Sequence, residues 1–404
     1  MKSQIVISAL GVVNALGASV DKVAARLFAG DQSGIKRSTA FVPDKDYFVG
    51  EVQEELPSCP DGFKDLWSRN AALSLVALRQ IQEQVNLAIS KYGPSRIGIV
   101  VGSSTSGIDE SERVIRARVE TACLSSGYVY QQQQLGTVSL ILSKLLGVTG
   151  PSYTISTACS SSAKVFRAAR NLMTSGLCDC VVAGGIDSLC KLTLNGFSSL
   201  ELVSDQITNP FSKNRRGITI GEGGALFLLE RAKQDTHDEA SVYLLGVGES
   251  SDAYHISSPD PTAAGAIVAI EAALTKSGVS AKDIDYINLH GTGTLHNDAM
   301  EAKAIRHIFS ERVPCSSTKP LVGHMLGASG ATEVAFCWMM LTDSAWRIPP
   351  HRFDGERDPE LPFLNLASSD ARCESVPQFA LSNSFGFGGS NCAVVLGRRL
   401  YGAR

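Results

Sequence analysis

The chain reads as a layered α/β enzyme, on three observations. Short apolar, β-branched runs alternate with stretches of helical period, the pattern of sheets covered on both faces. The 404 residues, 44% hydrophobic and 19% charged, supply ample core and are too apolar for disorder. The 37 glycines point to tight turns and close backbone approaches, which suit stacked layers better than a helical bundle. At this length two or three domains, or one large double domain, are expected.

Taken in order, the first element is a buried strand over Gln4–Leu10, turning at Gly11. Lys2 and the apolar run after it also resemble a secretory leader, but Gly11 and Asn14 interrupt the run. A first strand is therefore the expectation, and with it a cytoplasmic protein. Arg96–Gly102 and Ser152–Thr157 read as strands, as does Cys178–Gly184. Between the last two, Ala163, Phe166, Ala169 and Leu172-Met173 recur at helical spacing up to a stop at Gly176. Gln131–Gln134 is a polar turn or helix start. Gly223–Leu229 and Val242–Val247 suggest two strands of a hairpin or crossover, separated by a charged surface segment, Glu230–Glu239. That segment is taken as a seam near residue 235, with a separate sheet in each half. Beyond it come a helix over Ala263–Lys276 ended by Gly278, a strand over Asp285–Leu289 and a buried helix over Ala328–Leu341. Strands over Gln378–Ser382 and Cys392–Leu396 close the chain.

Composition excludes several function classes. With 37 basic and 40 acidic residues the net charge is −3, which argues against nucleic acid as the main partner. No apolar run reaches the ~18 residues of a membrane span. The ten cysteines include no CxxC pair, so zinc spacing is absent, and most are expected to be small buried hydrophobes in a reducing compartment. Gly221-Glu222-Gly223-Gly224 lacks the lysine of a P-loop, and no strand-GxGxxG-helix unit is present, so nucleotide binding is rejected.

Four segments are suited to chemistry. Cys159 sits where an apolar strand turns into a helix, between the small residues Ala158 and Ser160; free N–H groups and the helix dipole there would stabilise a thiolate. His290 ends an apolar strand and is followed by Gly291-Thr292-Gly293-Thr294, whose hydroxyls share its space. Lys319 and His324 lie in a glycine-rich loop leading into an apolar helix, where Glu333 can pair with Lys319. Phe385 and Phe387 stand among glycines in Asn383–Asn391, a gate whose freed N–H groups can face an oxyanion. A cysteine peptidase accounts for Cys159 and His290 at papain-like separation, but lacks the flank around that cysteine and leaves His324 and Lys319 unused.

These four blocks, in this order, resemble the β-ketoacyl-acyl-carrier-protein synthases, the condensing enzymes of fatty acid and polyketide synthesis. Ile5–Gly17, Asn209–Ser212, Arg216-Gly217 and Gly221–Gly223 extend the likeness over nearly the whole chain. The resemblance implies a thiolase fold, two related α-β-α halves stacked into a five-layered core, with the halves at 1–235 and 236–404. It implies Cys159 as nucleophile, His290 and His324 completing a Cys-His-His triad, Lys319 with Glu333 beside them, and Phe387 as gate. The N–H groups of Cys159 and Phe387 would form the oxyanion hole. Thr292 and Thr294 would contact the substrate arm, with Phe385 and Gly388 also on the substrate side. No metal or other cofactor is implied, because the phosphopantetheine is carried by the partner, an acyl carrier protein. A dimer is implied, either of identical chains or with a chain-length-factor-like paralogue.

The second histidine favours chain elongation, since initiating relatives have Asn there and degradative thiolases use a second Cys. The presence of Cys159 argues against the noncatalytic chain-length-factor role. Ser152–Phe166 and Leu189–Phe197 are similar to the ketosynthases of aryl polyene clusters. Three serines after Cys159 and Leu295-His296 after the Gly-Thr-Gly-Thr block depart from the fatty-acid members.

Overall fold

The computed structural model describes residues 4–42, 45–122, 128–232, 241–309 and 311–398. Eleven strands in these residues form the main sheet: β1 (Ile5–Val13), β2 (Ile97–Gly102), β3 (Ser152–Ile155), β4 (Cys180–Asp187), β5 (Gly223–Arg231), β6 (Val242–Ser251), β7 (Tyr286–Asn288), β8 (Pro314–Ser316), β9 (Asn365–Leu366), β10 (Phe379–Gly386) and β11 (Ser390–Gly397). Their spatial order is β9-β8-β7-β10-β11-β6-β1-β5-β4-β2-β3. The strands before the seam thus lie together on one side and those after it on the other.

Separate sheets were expected, but Ile5, Val6 and Ile7 of β1 pair with Leu244, Tyr243 and Val242 of β6, a short ladder that joins the halves. Of the expected hairpin or crossover between β5 and β6, the hairpin fails and the crossover holds: β1 lies between them and pairs antiparallel with both, so β5 and β6 run parallel. The seam itself falls in 233–240, outside the described residues.

Six helices complete the layers: α1 (Arg69–Tyr92), α2 (Thr137–Leu146), α3 (Ser161–Thr174), α4 (Ala264–Ser277), α5 (Leu295–Ile308) and α6 (Ser329–Thr342). The strands show why they stack. Successive strand side chains face opposite ways, so Ala225, Phe227 and Leu229 of β5 enter the central core while Leu226 and Leu228 enter an outer one. In the other half Cys392, Val394 and Leu396 of β11 face the centre, and Ala393 and Val395 face out. Both faces of each half are therefore apolar, and each needs a helical cover. Helices α3 and α6 fill the centre and touch each other and strands of both halves; α1 and α2 cover one outside, α4 and α5 the other. This is the five-layered thiolase fold.

Gly11 does not turn the chain. β1 runs on to Val13, and a bulge between Ile7 and Ala9 shifts the pleat so that Ile5, Ile7, Leu10 and Val12 all face the centre. The glycine is needed because a Cβ there would stand 2.0 Å from the Ala77 carbonyl oxygen of α1. The other expected elements lie within a few residues of their places, and Gly278 ends α4 at φ +74°.

Candidate active site

The turn that carries Cys159 is built by its own serines. Ala158 is left-handed at φ +51°, which turns the strand sharply before Cys159. Ser161 Oγ accepts from the Thr157 N–H at 2.8 Å, Ser162 Oγ accepts from the Ala331 N–H at 2.8 Å, and Ser160 Oγ bonds Ser390 Oγ at 3.0 Å. The three serines that set the chain apart thus tie the turn to α6 and to the aromatic loop. Gly386 packs closely on the same turn: a Cβ would lie 3.0 Å from the Thr157 oxygen, so the neighbouring backbone would have to give by a few tenths of an ångström.

His290 follows β7 directly, and its loop is held from α5. Glu301 Oε1 accepts the His290 N–H and Oε2 the Gly291 N–H, each at 2.7 Å. One turn earlier Asp298 accepts from Phe211 N at 2.8 Å and Gly293 N at 3.2 Å. Both acids are fully buried. His324 enters from the other side, its N–H donating to the Thr219 oxygen at 2.6 Å. Asp187, at the end of β4, accepts from Ser103, Ser104 and Thr105 at 2.8 Å and from Ala328 N at 3.1 Å, so one carboxylate spans the two halves. Glu301, Asp298 and Asp187 were not expected from the sequence. The three-residue spacing of Asp298 and Glu301, just after the histidine loop, is the signal that points to them.

These elements bring the triad together. His324 Nε2 lies 3.1 Å from Cys159 Sγ, and the two imidazoles stand edge to face with centroids 5.3 Å apart. The Lys319 ammonium donates to Glu333, to the His290 carbonyl and, at 3.4 Å, to His290 Nδ1. An ammonium has no acceptor, so Nδ1 of His290 carries no proton and its proton sits on Nε2. On the second histidine, Nδ1 lies 2.8 Å from Ser329 Oγ.

The triad opens into a chamber of about 380 Å³ whose walls include Thr292, Thr294, Phe385, Gly386 and Phe387. The two threonine hydroxyls bond each other at 2.9 Å. Phe385 lies 6.0 Å from the His290 ring, and Phe387 is 5.6 Å from Phe197 of helix Lys191–Ser199, an aromatic contact that was not anticipated. Gly388 lies behind the chamber wall formed by Gly386 and Phe387, its N–H donating to the Ile256 oxygen at 2.8 Å.

Electrostatics overturn one expectation. Burial pushes the Cys159 thiol up to about 11, against the opposing pull of Lys319 and the Phe387 N–H. The helix terminus therefore does not leave a resting thiolate. Burial, then Lys319, hold both histidines well below their ordinary value, so both are neutral. Burial raises Glu333 to about 7 although Lys319 pulls it down. Cys159, His290 and His324 offer one ligand atom each within 4.8 Å, a donor set that zinc accepts, but the Lys319 charge beside His290 opposes a cation. Elsewhere Cys59 is exposed and Cys373 half-buried, unlike the buried cysteines expected. Glu222, in the rejected glycine segment, is a buried partner of Arg69.

A buried cysteine facing two neutral histidines in a thiolase fold defines an acyl-transferring enzyme. The chain belongs to the β-ketoacyl synthase family: residues 2–235 match the model of the N-terminal domain and residues 242–352 that of the C-terminal domain. It is 30% identical to 3-oxoacyl-acyl-carrier-protein synthase 2 of Coxiella burnetii, over 98% of this chain and 99% of that one. Among solved structures it is similar to the ketosynthase ApeO of Xenorhabdus doucetiae, solved with its chain length factor ApeC, at 44% identity, 98% coverage of both chains and a TM-score of 0.91. A β-ketoacyl synthase from Burkholderia phymatum is 27% identical with a TM-score of 0.87, over 98% of this chain and all of that one. No helix among the described residues is long and apolar enough to cross a membrane.

Proposed function

We propose that this chain elongates an acyl chain bound to Cys159 by decarboxylative condensation with a malonyl group on an acyl carrier protein. The observation that carries this reading is the triad itself, one thiol and two neutral imidazoles in a single buried chamber. In the first half-reaction the thiol gives its proton to His324 Nε2 as sulfur attacks the incoming thioester. The N–H groups of Cys159 and Phe387, which bear on this sulfur, receive the oxyanion, and the carrier's thiol leaves with the proton.

In the second half-reaction the malonyl carboxylate departs as carbon dioxide and negative charge grows on the thioester oxygen. Nε2–H groups of His290 and His324 receive it. They can do so because burial and Lys319 keep them neutral, and each such donor typically lowers a barrier by ~3 kcal/mol. The enolate carbon then attacks the acyl carbonyl on Cys159; the C–S bond breaks, the 3-oxoacyl product stays on the carrier, and the Cys159 sulfur leaves and takes a proton from water to become the thiol again. Thr292 and Thr294 line the path of the phosphopantetheine arm, which the carrier brings, and Phe385 and Phe387 bound the space between the two substrates.

We place the chain with the ketosynthases of aryl polyene clusters, supported by Ser152–Phe166, Leu189–Phe197 and the likeness to ApeO. That neighbour's chain length factor supports a paralogous partner rather than an identical one. The reading takes the chain as a cytoplasmic enzyme of two halves dividing at 235/236. Intact-mass measurement with acyl- and malonyl-carriers tests the function. Wild type gains the acyl mass and forms the 3-oxo product, and Cys159→Ala does neither. An unmodified wild-type Cys159 with a competent acyl-carrier refutes it.

A further inference from the structure

The two histidines are held differently. His290 Nδ1 faces an ammonium, which fixes one tautomer. His324 Nδ1 faces the hydroxyl of Ser329, the first residue of α6, at 2.8 Å. Ser329 is 1% exposed, and its hydroxyl has no other hydrogen-bond partner among the described residues. A hydroxyl both donates and accepts, and it turns about one bond to do either.

The proposed cycle, on which this inference rests, demands both of those states. To take the proton of Cys159, Nε2 must be bare, so Nδ1 must carry the proton and donate it to Ser329. To donate to the malonyl oxygen, Nε2 must carry the proton, so Nδ1 must be bare and accept from Ser329. We propose that Ser329 is a positioning residue that supports both tautomers of His324, letting one histidine serve as base in acyl transfer and as hydrogen-bond donor in decarboxylation.

Protons balance in each step. In acyl transfer the proton leaves sulfur for Nε2, and Nε2 returns it to the departing carrier thiol, so His324 ends as it began. The change of tautomer before decarboxylation brings one proton to Nε2 from water and releases one from Nδ1 to water, with no net change. No such choice exists at His290, whose Nδ1 never becomes a donor.

Two substitutions separate this role from simple packing. Ser329→Ala strands Nδ1 in either state. A buried N–H without an acceptor is costlier than a bare nitrogen, so acyl transfer falls about ten- to hundredfold while decarboxylation stays within about threefold. Ser329→Asp, in its ionised form, accepts but cannot donate, so it holds the proton on Nδ1. Acyl transfer is then kept within about threefold and decarboxylation falls about a hundredfold. The assay uses octanoyl-carrier, read as acyl mass on Cys159, and malonyl-carrier, read as carbon dioxide. Equal losses in both half-reactions for both variants, or no loss in either, overturn the proposal.

Nitrogen NMR of histidine-labelled full-length protein gives a readout independent of activity. Wild-type His324 is expected to show nitrogen shifts averaged between tautomers, and Ser329→Ala to move them toward proton-on-Nε2 values. A single tautomer unchanged by the substitution overturns the proposal. If wild type performs neither half-reaction, the functional reading fails while the NMR measurement still decides the role of Ser329.

Discussion

Lys319→Met removes the cation that bonds both Glu333 and His290, and its consequences can be worked out from the structure. Lys319 and Glu333 are 1% and 2% exposed, so Glu333 is left in the core without its counter-charge. An ionised carboxylate stranded there costs about 3–5 kcal/mol. Glu333 avoids much of this by taking a proton. In wild type it titrates at about 7, raised by burial and held back by Lys319; without the lysine it titrates higher still. An acid raised on folding stabilises fully below its unfolded value, and that stability is lost as pH rises through the folded value. For wild type the loss is complete a little above pH 7. For the variant it continues upward, at about 1.4 kcal/mol per pH unit. The expected penalty at pH 7 is then about 2 kcal/mol, mostly the unpaired His290 carbonyl and the proton uptake, and it grows as pH rises above 7. Urea midpoints of wild type, Lys319→Met, Glu333→Gln and the double variant at pH 6 to 9 check this. The gap should widen with pH for the single lysine variant and stay constant when Glu333→Gln is the background. A gap that does not change with pH refutes the account of the pair.

The raised Cys159 thiol gives a second expectation: alkylation at Cys159 by iodoacetamide, followed by peptide mass, should climb about tenfold per pH unit from 7 to 10, and a plateau below pH 8 contradicts it. His290→Ala should lower malonyl decarboxylation about a hundredfold while Cys159 still becomes acylated, read as carbon dioxide release and intact mass; preserved decarboxylation in both His290→Ala and His324→Ala contradicts their assigned roles. Gly11→Ala drives a Cβ into the Ala77 carbonyl of α1 and should cost about 1–3 kcal/mol in urea unfolding.

The parts of this molecule that could be read from sequence are those in which one local pattern has one meaning. Apolar runs gave the strands their places, and Gly278 marked a helix end because only a residue tolerant of positive φ sits there comfortably. Gly11 shows the limit. A glycine between apolar residues looks like a turn, yet here it admits a helix carbonyl, and nothing local distinguishes the two uses. The joining of the two halves through β1 and β6 was equally hidden, since pairing partners far apart in the chain leave no mark on either strand. At the site, Cys159 and His290 were legible because each follows an apolar strand with a reactive group, and His324 because it stands in a glycine-rich loop leading into an apolar helix. Glu301, Asp187 and Ser329 were not, because they act on the backbone or ring of another segment.

The corrected state of Cys159 ties these features together. A resting thiolate beside His324 would favour an imidazolium, and a charged imidazole with both nitrogens protonated cannot act as the base of acyl transfer. Burial instead keeps the thiol neutral, and Lys319 keeps both rings neutral from behind. In the proposed cycle charge then forms only during reaction, first on sulfur and the acyl oxygen, later on the malonyl oxygen. Each time it meets dipoles already in place: N–H groups of the nucleophile turn and gate, or the edges of the two imidazoles. A chamber that kept a permanent anion would have spent those donors on it before any substrate arrived.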